Sequence, residues 1–155
     1  MAKAFLFAFL LILVTAAGIG QAPVLKPFLL SSVRLLQSPF KEAQETDKAY
    51  ILSLDADRLL APFLREAGLP AVAKSYGNWE ATGLDGHIGG HYLSALANMV
   101  AATGDAKIGE RLSYAIDWLE KCQQKDGDGC VADIPGDKKI WQEIAEGKIN
   151  AGNFS

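Results

Sequence analysis

The sequence predicts an all-α fold, and three observations carry that reading. Apolar residues recur every three or four positions through residues 40–54, 85–102 and 105–124. The breaks between those stretches hold helix start and stop residues: Ser38-Pro39, Gly68-Leu69-Pro70 and Thr103-Gly104-Asp105. The last two stretches are joined by so short a break that they must form an antiparallel pair, flanked by the others.

The elements follow in chain order. Residues 1–20 read as a signal peptide: Lys3 gives a positive start, residues 4–14 are an unbroken apolar run, and Gly18 and Gly20 precede a cut before Gln21. A cut after Ala22 is an alternative. The run is shorter than the roughly 18 residues that a membrane span requires. Residues 21–39 read as an extended leader packed over the body, with three prolines, no helical period and a short strand at 33–36. Ser38 then caps a helix that has Pro39 at its first position, with Phe40, Ala43, Asp47, Tyr50, Ile51 and Leu54 at helical spacing. Asp55 begins a second helix with Leu59, Leu60, Phe63 and Leu64 as its apolar face. Pro62 keeps it short or kinks it, and Gly68-Leu69-Pro70 ends it.

Residues 71–83 are a loop around Tyr76 and Trp79. The third helix runs from about residue 85 to 102, capped by Asp85, with Leu84 as a staple and Ile88, Tyr92, Ala95 and Met99 as its apolar lane. Gly104 ends it and Asp105 caps the fourth, to about residue 124, with Ile108, Leu112, Ala115, Leu119 and Cys122 on one lane. Asp126-Gly127-Asp128-Gly129 closes that helix. A last helix, 138–145, turns Ile140, Trp141 and Ile144 inward. In the antiparallel pair, the start of the third helix lies beside the end of the fourth. The loops 79–85 and 125–135 therefore meet at one rim.

The chain has 155 residues and a formal net charge of −3. Lys3 is the only charged residue of the signal segment, so its removal leaves −4. With no basic patch, nucleic acid and anionic membranes are poor partners. Roughly 135 mature residues fit one domain with its own core. Cys122 and Cys130 are the two cysteines. Export permits a disulfide, and both that bridge and a free thiol at Cys122 on a helix face are compatible with the spacing.

Residues 79–98 concentrate the polar chemistry: Trp79, Glu80, Asp85, both histidines and four glycines. His87 and His91 stack on one helix face, continued by Ser94 and Asn98. Such a lane suits paired hydrogen bonds to sugar hydroxyls. A shared zinc is the rival reading, but no Glu lies between the histidines and no third ligand is nearby; packing histidines are the plainer one. Glu80 and Asp85 invite comparison with the two carboxyl groups of a glycosidase. Asp85 also serves as a cap, and Glu80 as an ordinary solvated loop acid. Trp79 and Tyr76 either stack on sugar faces or anchor the loop. Gly86, Gly89 and Gly90 each weaken a helix by about 1 kcal/mol relative to Ala, so a close neighbour must require them.

Three blocks in order, at residues 25–44, 50–70 and 83–97 (the last G-L-D-G-H-I-G-G-H-Y-L-S-A-L-A), make the chain resemble the N-terminus of glycoside hydrolase family 127, the β-L-arabinofuranosidase-like proteins. The resemblance covers residues 25–155. It implies an (α/α)6 toroid, incomplete here, with residues 40–155 as its first helices. It also implies retaining hydrolysis of terminal β-L-arabinofuranosides by a Cys nucleophile on a zinc held by Glu and Cys, with a Glu acid/base. Those groups lie downstream in the family, and neither Cys122 nor Cys130 matches them. No catalytic or metal-ligating residue is therefore expected in this chain, and zinc belongs to the full-length enzyme.

Trp79, Glu80, Asp85, His87 and His91 remain as candidate substrate-binding residues. Where relatives carry G-Y-L after the D-G-D-G loop, this chain has Gly129-Cys130-Val131. The expectation is a secreted or periplasmic N-terminal fragment, inactive alone and prone to self-association, with a carbohydrate as its partner. The alternative is a small secreted helical carbohydrate-binding or interaction module.

Overall fold

The computed structural model describes residues 25–148, and the signal segment lies outside them. Five α-helices form the body: α1 (Pro39–Ser53), α2 (Ala56–Glu66), α3 (His87–Thr103), α4 (Ala106–Asp126) and α5 (Asp137–Ala145). The described residues contain no strand, and no helix among them is long and apolar enough to cross a membrane. Residues 33–36, expected as a strand, are irregular chain after a 3-10 turn at Leu30–Ser32. Val33 and its leucine neighbours have local strand propensity but no partner strand to pair with. The described leader is largely solvent-exposed, and its 3-10 turn lies against α3.

Helix starts and stops follow local chemistry. The Ser38 hydroxyl accepts from the Lys41 N–H at 3.3 Å, with Pro39 at the first helical position. Asp55 accepts from the Asp57 N–H at 3.0 Å and starts α2. Gly68, at φ +67°, ends α2: its N–H donates to Arg65 O at 3.0 Å, and the Leu69 N–H donates to Leu64 O at 2.8 Å. Pro62 lies buried inside α2, which stays short at eleven residues. Gly104 closes α3 at φ +68°, and Asp105 caps α4 by accepting from the Lys107 and Ile108 N–H groups at 3.0 and 3.2 Å.

Helix α2 is the centre of the core. One side packs Ala56 and Leu59 against Ile51 of α1, Tyr92 and Leu96 of α3 and Ile108 of α4. The other packs Leu60, Phe63 and Leu64 against Ala115 and Cys122 of α4. Three of the four residues of the expected α3 lane pack inward: Tyr92 is buried, and Ala95 and Met99 are half-buried against the core, with Gly89 and Leu96 buried beside them, whereas Ile88 is exposed. Gly89 is a contact point with α2. A Cβ there would stand 2.9 Å from a Phe63 ring carbon and 3.0 Å from the Leu59 carbonyl oxygen, so α2 approaches at the glycine. Trp141, expected to face inward, is 62 % exposed; Ile140 and Ile144 are half-buried. Helix α5 is short; besides these aliphatic residues it meets the body through buried Asp137 and the Lys138–Asp126 pair at 2.6 Å.

Candidate functional site

The two loops expected to meet do meet, and Arg65 at the end of α2 joins them. Its guanidinium pairs with Asp85 at 3.0 Å and with Glu66 at 2.8 Å, and donates to the Asp133 carbonyl at 3.2 Å. Glu66 accepts from the Gly136 N–H at 2.9 Å, which brings in the turn before α5. Gly86 lies so close to Asp133 that any side chain there would overlap it. The rim is thus a seam of charge-assisted bonds between residues 80–86 and 133–137, held from below by α2.

Within the seam, neither Glu80 nor Asp85 has the role expected of it, and the capping role falls to Glu80. Asp85 does not cap α3. The cap position is Gly86, at φ +83° in the left-handed region, and Asp85 instead accepts from the Gly83 N–H at 3.2 Å and pairs with Arg65. Glu80 is not a solvated loop acid: it is 2 % exposed. Its two carboxylate oxygens accept from the N–H groups of Gly86 and Ile88, each at 2.8 Å. An acid six residues upstream therefore closes the α3 N-terminus, where the helix dipole favours negative charge.

Burial, with the Glu80 and Asp137 carboxylates nearby, holds the Asp133 carboxyl above its usual range, against backbone N–H groups that favour the charged form. Sequence reasoning missed Arg65, Glu66 and Asp133 because each acts across a long separation. The one available signal was the convergence of the two loops.

The histidine lane faces solvent. His87 and His91 are exposed, their rings edge to face with centroids 4.6 Å apart. Ser94 donates to the Gly90 carbonyl of its own helix at 3.2 Å, and Asn98 is exposed. The histidines stand on an exposed ridge, and Asn98 at the far end of the lane lines a groove between α3 and α1. Among the described residues, no three His, Cys, Asp or Glu side chains group to hold a metal ion.

Both cysteines are free thiols. Burial, then the Asp126 charge, pushes the Cys122 thiol up. Burial, then Asp137, Asp128 and Asp126, does the same to Cys130, whose sulfur lies 3.9 Å from Asp137. A nucleophilic or metal-binding thiol needs the opposite shift.

The aromatic residues of the loop divide. Tyr76 is an anchor: its hydroxyl accepts from the Asp55 N–H at 3.1 Å, and the Arg58 guanidinium lies 3.9 Å from its ring centroid. Trp79 is 63 % exposed and forms one wall of a pocket of about 290 Å³ that it shares with Tyr50, Leu54, Tyr76, Asn78 and Ile88.

Comparison with the curated proteins finds no match. A family model does match: the one described as Beta-L-arabinofuranosidase, GH127 catalytic domain, aligns with residues 32–146. That span runs from the leader through all five helices and includes both loops of the rim, and the chain belongs to the glycoside hydrolase family 127 catalytic-domain family.

Proposed function

We propose that this chain is the exported N-terminal part of a glycoside hydrolase acting on terminal β-L-arabinofuranosides or related plant or bacterial glycans, with the bond-breaking groups supplied by residues outside it. The observation that carries this reading is the family match over residues 32–146. The helices expected to open an (α/α)6 toroid are the ones that match. The apolar run after Lys3 supports export to the periplasm or medium.

Three features support placing the catalytic groups elsewhere. Both thiols are raised toward their protonated forms. Both Glu80 oxygens are engaged by backbone N–H groups. The described residues also offer no ligand set that fits the zinc implied by the family resemblance. In this reading Arg65, Glu80 and Asp85 shape one wall of the cleft. Trp79, His87 and His91 present side chains at its edge, where a carbohydrate binds.

The test is release of arabinose from an aryl β-L-arabinofuranoside. The 155-residue chain is expected to release none. The product of the gene read past the Ser155 codon is expected to turn the substrate over and to lose that activity to a chelator. Zinc-dependent turnover by the short chain alone overturns the proposal.

A further inference from the structure

We infer that Tyr50, Asn78 and Trp79 form a sugar-ring subsite on the α1 side of the rim, away from the histidine ridge. The inference rests on the carbohydrate reading above and names where the ring sits. The pocket between these residues, of about 290 Å³, is at the low end of small-ligand cavities, the size of a single ring rather than a chain. Its floor is aliphatic, from Leu54, Leu59 and Ile88. Its edges are two aromatic side chains open to solvent, Tyr50 at 64 % and Trp79 at 63 % exposure.

Apart from Glu80, which also lines this pocket, the polar groups here differ from those of the rim seam. In the seam, Arg65, Glu66, Glu80 and Asp85 bond to one another or to backbone. Among the described residues, no hydrogen bond engages the Tyr50 hydroxyl, the Asn78 carboxamide or the Trp79 indole N–H. A sugar ring has an apolar C–H face and a rim of hydroxyls. Aromatic faces take the first, and free donors and acceptors at the same mouth take the second.

The backbone under the pocket is held while its side chains are not. Asn78 has φ 57°, the one non-glycine residue at positive φ among the described residues. Asn tolerates that region better than most residues, and such strain collects at ligand clamps. On one side of it, Tyr76 is tied to Asp55 and Arg58. On the other, Glu80 is tied to the start of α3. Trp79 lies between two fixed points, so its ring is presented without ordering a loop, which lowers the cost of binding.

The experiment is a saturation-transfer NMR titration of the full chain with methyl β-L-arabinofuranoside, repeated on Trp79→Ala, Tyr50→Ala and Trp141→Ala, with far-UV circular dichroism on each. Exposed side chains at these positions leave the helix content unchanged. Trp79→Ala and Tyr50→Ala are each expected to weaken binding about tenfold, the scale of losing one stacked ring. Trp141→Ala, an exposed aromatic on α5, is expected to leave it unchanged. Wild-type affinity in both pocket variants, or no binding by the wild type, overturns the subsite. The glycosidase reading fails separately: Trp79-dependent binding of the probe with no turnover by the longer gene product keeps the subsite and removes hydrolysis. Turnover by that longer product with a KM indifferent to Trp79→Ala does the reverse.

Discussion

Glu80 is an acid whose charge is used inside the protein. Buried at the rim, it gives both oxygens to the first N–H groups of α3. Removing it leaves those donors without a partner where water has little access. Glu80→Ala is expected to cost about 3 kcal/mol, the sum of two unsatisfied donors and a lost charge–dipole contact. Glu80→Gln, which keeps one acceptor oxygen and points a donor at the other N–H, is expected to fall between. Chemical denaturation monitored by circular dichroism measures both, and a loss below about 1 kcal/mol for the alanine variant contradicts the role. The sequence offered Asp85 for this task because a cap is sought beside the helix start. Gly86 in the left-handed region separates Asp85 from the helix, and Arg65 engages its carboxylate from another element. Capping within three residues is legible from sequence; capping from a neighbouring turn is not.

At the scale of elements, the α2–α3 contact separates two adjacent glycines. A Cβ at Gly89 would stand 2.9 Å from a Phe63 ring carbon and 3.0 Å from the Leu59 carbonyl oxygen, closer than van der Waals contact, whereas a Cβ at Gly90 meets nothing within 4 Å. Gly89→Ala must push α2 away or distort the helix, and is expected to destabilise by about 1–3 kcal/mol. Gly90→Ala is expected to stabilise by about 0.5–1 kcal/mol, because it only restricts the unfolded chain and improves helix propensity. Thermal melts of the two variants decide this: equal shifts, or shifts of the same sign, sink the argument.

The same contact explains which helix faces the sequence revealed. Helices α1, α2 and α4 and the α3–α4 break were readable because Ser38, Asp55 and Asp105 cap locally and Gly104 stops locally. On α3 the lane of Tyr92, Ala95 and Met99 was readable too, but Ile88 was placed inward where Gly89 is, because counting apolar side chains gives a glycine no weight. Here the glycine is where the helices touch. Trp141 was misplaced for the opposite reason: a large apolar residue at helical spacing signals a core face only if another element covers that face.

For the whole molecule, the decisive feature is the asymmetry of α1. Of its fifteen residues only Ile51 is buried, while Phe40 is 76 % exposed. Between α1, α3 and the leader runs an apolar groove of about 710 Å³, lined by Leu30, Leu35, Phe40, Tyr50, Ala95 and Met99 among others. A helix of this length is not stable in water on propensity alone, so burial of its apolar face must supply most of its stability. Within this chain that burial is slight, and the Lys48–Asp105 pair at 3.1 Å that ties α1 to the start of α4 is half-buried at the surface and contributes modestly. The exposed apolar side chains cluster along this groove rather than scattering singly: Leu30, Leu35, Phe40 and Tyr50 are all exposed there. The purified 155-residue chain is therefore expected to bind an environment-sensitive dye such as ANS and to sediment faster as its concentration rises. A concentration-independent monomer with a sharp two-state melt and no dye signal argues that α1 is secured by something other than apolar burial. If residues beyond this chain cover the groove, the longer gene product loses both the dye signal and the association. The pocket beside Trp79 must then stay open to a sugar even though it shares Tyr50 with the covered groove. Dye binding and sugar binding respond oppositely to that extension, so measuring both separates a face meant for packing from one meant for a ligand.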